Sequence, residues 1–303
     1  MEGLMNDLSG KRIIIAGGTG LVGTHLTQAL RESGAEVQVL SRKANGLGTY
    51  AWEALPELLE GSHAIINLAG AGIADERWSP TRKVLLRQSR LEPTERILKA
   101  LASCTARPKV FVNASAVGIY GSQREELLDE AQPPGDDFLA ELCRDWEAAA
   151  DRAGDLGLRV VKLRLGVVLA RDRGALPRIA QPVRLFAGAI LGSGRQGFSW
   201  IHIEDLVRLI LEALRNPAFE GAFNATAPLP CTHGAFTRLL AQRLHRPIWP
   251  VPALFTRTAL KLLVGEMAEP MLLGGVFASP RKALERGFTF RFPNAEKALE
   301  DLL

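Results

Sequence analysis

The stretch AGGTGLVGTHL, residues 16–26, carries Gly17, Gly20 and Gly23 in the spacing G-x-x-G-x-x-G. It closes the apolar run KRIIIA and opens a helical pattern that Gly34 can stop. A strand, a glycine-rich turn and a helix in that order suit one task well. The turn must be tight, the backbone must approach a pyrophosphate closely, and the helix N-terminus offers free N–H groups and a favourable dipole. Glycines serving only close helix–strand packing are the alternative, and the strand–turn–helix context favours the dinucleotide reading. The candidate cofactor contacts here are Gly17, Thr19, Gly20, Leu21, Val22 and Gly23.

Outward from this turn the chain alternates short β-branched runs with helical patterns. AEVQVLSR, HAIINLAG, KVFVNASAV and LRVVKLRLGVVLA read as strands. WEALPELLEG, the stretch from about Ser79 to Ser103, and DFLAELCRDWEAAADRAG read as helices. Such alternation predicts an α/β, Rossmann-type doubly wound parallel sheet with helices on both faces. From about Arg171 to 198 a Gly- and Pro-rich excursion interrupts the rhythm, expected to contribute to a substrate cleft. An amphipathic helix then follows SWIHIEDL, and GAFNATAP reads as an edge strand. The expected domains are 1–229, binding the dinucleotide, and 230–303, a smaller and mainly helical C-terminal cap.

Composition narrows the function classes. With 47% apolar and 23% charged residues the chain reads as globular. Its net charge of +4 is spread without a block of like charges, which argues against nucleic-acid or membrane partners. MEGLMNDLSGKR does not read as a secretory signal, and the apolar runs are short for a membrane span. Cys104, Cys143 and Cys231 are too dispersed for a disulfide framework or a zinc site, and the five histidines are equally scattered. The expectation is a cytoplasmic, metal-free protein with a small-molecule substrate; its oligomeric state is not encoded in any pattern here.

A site for NAD ordinarily places a carboxylate at the end of the second strand, for the ribose 2′-hydroxyl. This chain has Ser41, Arg42 and Lys43 there. A carboxylate would repel a 2′-phosphate, whereas a guanidinium pairs with it bidentately. Arg42 therefore predicts NADP(H) as the cofactor, while Lys43 reads equally as a solvated residue at a strand end.

Taken together, the glycine turn, the strand end Asn67, Leu68, Ala69 and Gly70, SAVGIYG and WIHIEDL resemble the extended short-chain dehydrogenase/reductase superfamily. AGAGIADERWSPTRK, GSGRQGFSWIHIEDL, FNATAP and the tail GEMAEPMLLGG…ASPRKALERGFTFRF are similar to its atypical sugar-nucleotide-epimerase-like branch, along essentially the whole chain. That resemblance implies bound NADP(H), a cleft between two domains, and Asn67–Gly70 along the adenine and ribose side. It also implies that Ser115 hydrogen-bonds the reacting oxygen and that Tyr120 lines the substrate side. Trp200, His202 and Asp205 match a pattern that is chiefly structural there, with His202 a satisfied histidine. Trp146 and Glu147 look like positions that hold sheet and cap together.

The superfamily's catalytic tyrosine sits on the next helix, with a lysine four residues on. DDFLAELCRDWE supplies neither: Phe138 is followed at that spacing by Leu142, and Leu139 by Cys143. Tyr50 is followed by Ala54 and Tyr120 by Arg124, so no Y-x-x-x-K occurs in the sequence. Two substitutes are open. Tyr120, beside Ser115 and with Arg124 or a cofactor charge lowering its pKa, is the candidate acid; Glu130, Asp136 or Asp137 is the other, although Asp136 and Asp137 also read as helix caps. In GSGRQGF, Arg195 and Gln196 suit a substrate phosphate, or equally a surface loop. The expected function is an NADP(H)-binding epimerase or reductase acting on a nucleotide-sugar-like or other polar carbonyl or hydroxyl substrate. The alternative is a catalytically silent NADP(H)-binding sensor or regulatory protein.

Overall fold

β1 (Arg12–Ala16) is the strand that the glycine turn closes, and four of its five residues are buried. Ile13 and Ile15 enter the core on one face, Ile14 and Ala16 the core on the other. An apolar run without alternation is what a strand covered on both faces requires. The computed structural model describes residues 8–42, 46 and 48–303.

In chain order the first elements are β1, α1 (Leu21–Glu32), β2 (Glu36–Leu40), β3 (Thr49–Tyr50), α2 (Leu55–Leu59), β4 (Ala64–Asn67), α3 (Pro80–Ser103), β5 (Val110–Ala116), β6 (Gln123–Leu128) and α4 (Phe138–Asp151). There follow β7 (Arg159–Leu165), β8 (Val167–Leu169), α5 (Ala175–Arg184), β9 (Gly197–Phe198), β10 (Trp200–His202), α6 (Ile203–Arg215) and β11 (Gly221–Ala225). The final segment holds β12 (Cys231–Thr232), α7 (His233–Arg243), α8 (Ala253–Val264), β13 (Gly275–Ala278), α9 (Arg281–Glu285) and α10 (Ala295–Leu302). The main sheet has the order β11-β7-β5-β4-β1-β2-β3, and every pairing in it is parallel. The chain runs outward from β1 in both directions, so the crevice between β1 and β4 is the point where strand order reverses, the place such sheets bind ligands.

The doubly wound sheet agrees with the sequence pattern, and β11 is its edge strand as expected. One long strand is in fact two. LRVVKLRLGVVLA breaks at Gly166: β7 stays in the main sheet, while β8 leaves it to pair with β10. A Cβ at Gly166 would lie 2.8 Å from the Ser199 carbonyl oxygen, so the close backbone approach that turns the strand needs glycine. Beyond residue 230 the chain returns to the first part. β13 pairs in parallel with β6, β12 pairs with β9, and Ala283 and Phe288 join the core that includes Ile13 and Ile15. Among the described residues no helix is long and apolar enough to cross a membrane.

Candidate functional site

Three of the sequence-predicted segments meet at the carboxyl ends of β2, β1 and β4. Gly17 has φ +80°, and a Cβ on it would sit 2.7 Å from the Leu68 carbonyl carbon and 2.9 Å from the Ala69 nitrogen. The turn therefore lies directly against the Leu68–Ala69 peptide. Gly23 is equally confined, because its Cβ would come within 2.5 Å of the Gly17 carbonyl oxygen and of Gly18 Cα. Ser41 continues β2 and its N–H donates to the Tyr50 carbonyl; Arg42 beside it is exposed, and Lys43 lies outside the described residues. Asn67 is buried; its amide donates to Asn113 Oδ1 at 2.8 Å and its Oδ1 accepts from the Ala69 N–H at 3.2 Å.

Like α2, α5, α8 and α9, α1 begins without a side-chain cap. Ser79, Asp137 and Thr232 cap α3, α4 and α7 through side-chain oxygens, whereas Gly20 gives α1 no side-chain cap and the first turn holds no acidic residue. A helix whose leading N–H groups have no internal acceptor leaves them to an incoming anion.

Ser115 and Tyr120 belong to a buried polar network. Ser115, 2% exposed at the end of β5, donates its hydroxyl to Glu147 Oε1 at 2.7 Å. Glu147, from α4, also takes two bonds from Arg164: Nε to Oε1 at 2.8 Å and Nη2 to Oε2 at 3.0 Å. Arg164 Nη1 donates to the Tyr120 hydroxyl at 2.9 Å, and that hydroxyl donates to Asn224 Oδ1 at 2.8 Å. Tyr120 is 1% exposed, so burial pushes its phenol above the ordinary value, only partly opposed by Arg164. Burial alone would lower the Arg164 pKa, but the hydrogen bonds and charge of Glu147 override it and raise it. The Arg124 side chain lies outside the described residues.

The face of α4 that meets this network reads Leu139, Cys143 and Glu147, one residue per turn. Leu139 packs at Gly118, and the Cys143 thiol beside Ser115 is pushed up to about 12 by burial. The sheet-facing side of α4 accommodates the Glu147 carboxylate because Arg164, its partner, stands in register with Ser115 on the adjacent strand. Trp146 on the same helix donates its indole N–H to Thr94 Oγ1 at 3.2 Å, tying α4 to α3.

A cleft of about 400 Å³ opens at the N-terminus of α4, lined by Trp78, Ser122, Asp137, Phe138 and Leu139 and, from the C-terminal segment, by Lys261, Glu266 and Glu269. Trp78 and Phe138 form its aromatic wall, edge to face at 5.3 Å. Asp137 caps α4 through Oδ1, which accepts from the Ala140 N–H at 2.9 Å. Its other oxygen, Oδ2, is buried with no partner among the described residues. The remaining carboxylates of the loop are placed otherwise. Asp136 is exposed, and Glu130 accepts the Asn224 and Lys282 N–H groups at 2.9 and 3.2 Å. Lys261 and Arg257 both bind Glu269 and hold its carboxyl below the usual range. Arg195 is exposed, and the Gln196 amide donates to the Leu191 and Leu272 carbonyls at 3.0 Å, fastening the excursion to the C-terminal segment; neither residue lines this cleft.

Residues 13–225 match the NAD dependent epimerase/dehydratase family. The chain belongs to that family. Residues 256–302 match a domain of unknown function, DUF1731. An Arabidopsis thaliana relative, "Epimerase family protein SDR39U1 homolog, chloroplastic", is 39% identical, covering 96% of this chain and 86% of its own. "Epimerase family protein YfhF" of Bacillus subtilis is 36% identical, covering 96% and 97%. The crystal structure of human epimerase family protein SDR39U1 (isoform 2) with NADPH superposes with a TM-score of 0.89 at 36% identity, over 96% of this chain and 98% of that one.

WIHIEDL, the family-like stretch at the start of α6, has a structural task. His202 is 1% exposed, and its Nδ1 accepts the Glu204 N–H at 3.2 Å while Nε2 meets Asp301 Oδ2 at 3.2 Å. Burial lowers its pKa, against a smaller opposing effect of Asp301. A folded pKa below the unfolded one means that the contribution to stability is complete above the unfolded value, about 6.5, and is lost as pH falls through the folded value. Thermal melting followed by circular dichroism is expected to drop on acidification below about pH 6.5. His202→Asn, which keeps a capping acceptor, is expected to show a shallower drop; identical pH profiles would refute the assignment.

Proposed function

We propose that this protein binds NADP(H) across the β1–β4 crevice and acts on a nucleotide-sugar-like or other polar carbonyl or hydroxyl substrate in the adjoining cleft. The observation carrying this is the Gly17–Gly23 turn, pressed against Leu68–Ala69 beneath an uncapped helix N-terminus. NADPH in the human relative's structure supports the choice of cofactor, as does Arg42 in place of a strand-end carboxylate. Bound there, the cofactor supplies hydride exchange. The chain's own residues then bind the pyrophosphate at α1, hold the 2′-phosphate at Arg42, and pack the substrate against Trp78 and Phe138. Calorimetric titration of the purified protein is expected to give micromolar or tighter affinity for NADPH and clear discrimination against NADH. Arg42→Ala is expected to remove that discrimination. Equal affinity for the two in the unaltered chain would refute the 2′-phosphate role.

Proton handling in this reading falls to a group other than a tyrosine–lysine pair. Leu139 and Cys143 stand on the α4 face toward Ser115, the stripe where that pair would belong, and neither serves as an acid near neutrality. We assign the proton-accepting role to Asp137 Oδ2, the cleft oxygen without a partner, and place Ser115 and Tyr120 as positioning residues acting through Glu147 and Arg164. Asp137→Asn keeps the helix cap, so it is expected to abolish cofactor oxidation with metabolites from a cell extract while the melting temperature holds. Tyr120→Phe is expected to leave the pH profile of turnover unmoved. The opposite pattern would return the acid role to Tyr120. The α4 stripe also favours a second reading, a sensor that binds NADP(H) without turning it over; sustained oxidation of bound NADPH by any metabolite would exclude it.

A further inference from the structure

The segment from Arg173 to Arg178, at the start of the excursion that contains α5, touches both walls of the β1–β4 crevice. On one wall, Arg173 Nη2 donates to Thr24 Oγ1 at 3.3 Å, and that hydroxyl donates in turn to the Gly20 carbonyl. A Cβ on Gly174 would lie 2.7 Å from Leu21 Cδ2, so the backbone here abuts the first residue of α1. On the other wall, Arg178 pairs with Asp75 at 3.1 Å and reaches the Ala74 carbonyl at 3.4 Å, in the loop that follows Asn67–Gly70. Both arginines are exposed. Arg173 has no carboxylate partner among the described residues.

We propose that Arg173 is a ligand of the cofactor pyrophosphate, delivered by a strap that Arg178 anchors across the crevice. The inference rests on the cofactor reading above. The α1 N-terminus offers a pyrophosphate dipoles but no full positive charge, since its first turn holds no basic side chain. Two negative charges there call for a cation, and a guanidinium pairs with phosphate oxygens in a planar, two-pronged geometry that a lone ammonium does not match. Arg173 already stands at hydrogen-bond range of Thr24, one helical turn from Gly20. Its present acceptor is a neutral hydroxyl at long range, which a charged phosphate oxygen displaces readily. Arg178, held by Asp75, keeps the strap across the opening and so orders the group that does the binding.

The test separates the two phosphate-bearing ends of the cofactor. The full-length protein and its Arg173→Gln, Arg173→Lys, Arg178→Gln and Arg42→Gln variants are titrated by calorimetry with NADPH and with adenosine 2′-monophosphate, which lacks the pyrophosphate. Arg173→Gln is expected to weaken NADPH binding by roughly tenfold or more, the scale of one charge-assisted contact, and to leave adenosine 2′-monophosphate unchanged. Arg173→Lys should recover part of the loss, Arg178→Gln should show a smaller loss confined to NADPH, and Arg42→Gln should weaken both ligands. Unchanged NADPH affinity in Arg173→Gln, with the parent binding normally, overturns the assignment and leaves the cofactor reading standing. An equal loss for both ligands also overturns it, because the strap would then act on the whole site. A parent protein that binds neither ligand removes the cofactor reading and this inference together.

Discussion

Replacing Glu147 by alanine is expected to lower the unfolding free energy by about 3–5 kcal/mol, the cost of stripping one partner from a buried ion pair. Glu147 is 5% exposed and Arg164 8%, and the two are joined bidentately. Their mutual attraction offsets the removal of both charges from water; with Glu147 gone, the guanidinium keeps, among the described residues, the Tyr120 hydroxyl and the Glu130 carbonyl. The Ser115 hydroxyl loses its acceptor as well. Urea denaturation measures the change. Because the penalty comes mainly from the stranded charge, the double variant Glu147→Leu with Arg164→Met is expected to recover most of the loss. A drop below about 1 kcal/mol for Glu147→Ala would mean that water reaches the pair and that the network does not hold β5, β7 and α4 together.

The second large effect is on cofactor affinity. Gly23→Ala places a methyl carbon 2.5 Å from both the Gly17 carbonyl oxygen and Gly18 Cα, distances that real carbon atoms do not sustain. The obstacle is backbone, not a side chain free to rotate away. Either α1 moves off the turn or the turn opens, and in both cases the N–H groups of Leu21 and Val22 leave the place where a pyrophosphate would lie. Overpacking of this kind costs about 1–3 kcal/mol, which as lost binding energy is a fall of roughly 5- to 150-fold in NADPH affinity. Calorimetry on the folded variant decides it. Gly154→Ala is the control, since a Cβ there meets nothing within 4 Å and the residue lies outside the glycine turn. Unchanged NADPH affinity in Gly23→Ala would show that the turn accommodates the methyl group and that close approach is not what glycine supplies there.

Much of the scaffold around this site was legible before any coordinates. RIIIA, AIIN and VFVNASA announce buried strands because an apolar run has only one way to be covered on both faces, and the Gly17–Gly23 spacing marks its own turn. Asp137 reads correctly as a helix cap because that role depends on neighbours a few residues away, whereas His202 reads as a satisfied histidine through the family resemblance and has one of its partners, Asp301, far along the chain. The strand break at Gly166 was not legible, because what forbids a side chain there is Ser199, brought in by a later strand. Nor was the pairing of β6 with β13, whose partners lie about 150 residues apart in sequence.

The same division holds for the chemistry. Sequence alone determined that a dinucleotide-type turn is present, that a carboxylate is missing where NAD would want one, and that no tyrosine–lysine pair exists, because each depends on residue identity at fixed local spacing. Tertiary structure alone decided where the polar groups inside the fold find their partners. Ser115, Tyr120, Glu147, Arg164 and Asn224 come from four separate stretches, and Asp137 Oδ2 and Arg173 acquire meaning only from the cleft and crevice beside them. A buried charge takes its role from whatever long-range packing sets against it, and periodicity along one strand or helix carries no record of that partner.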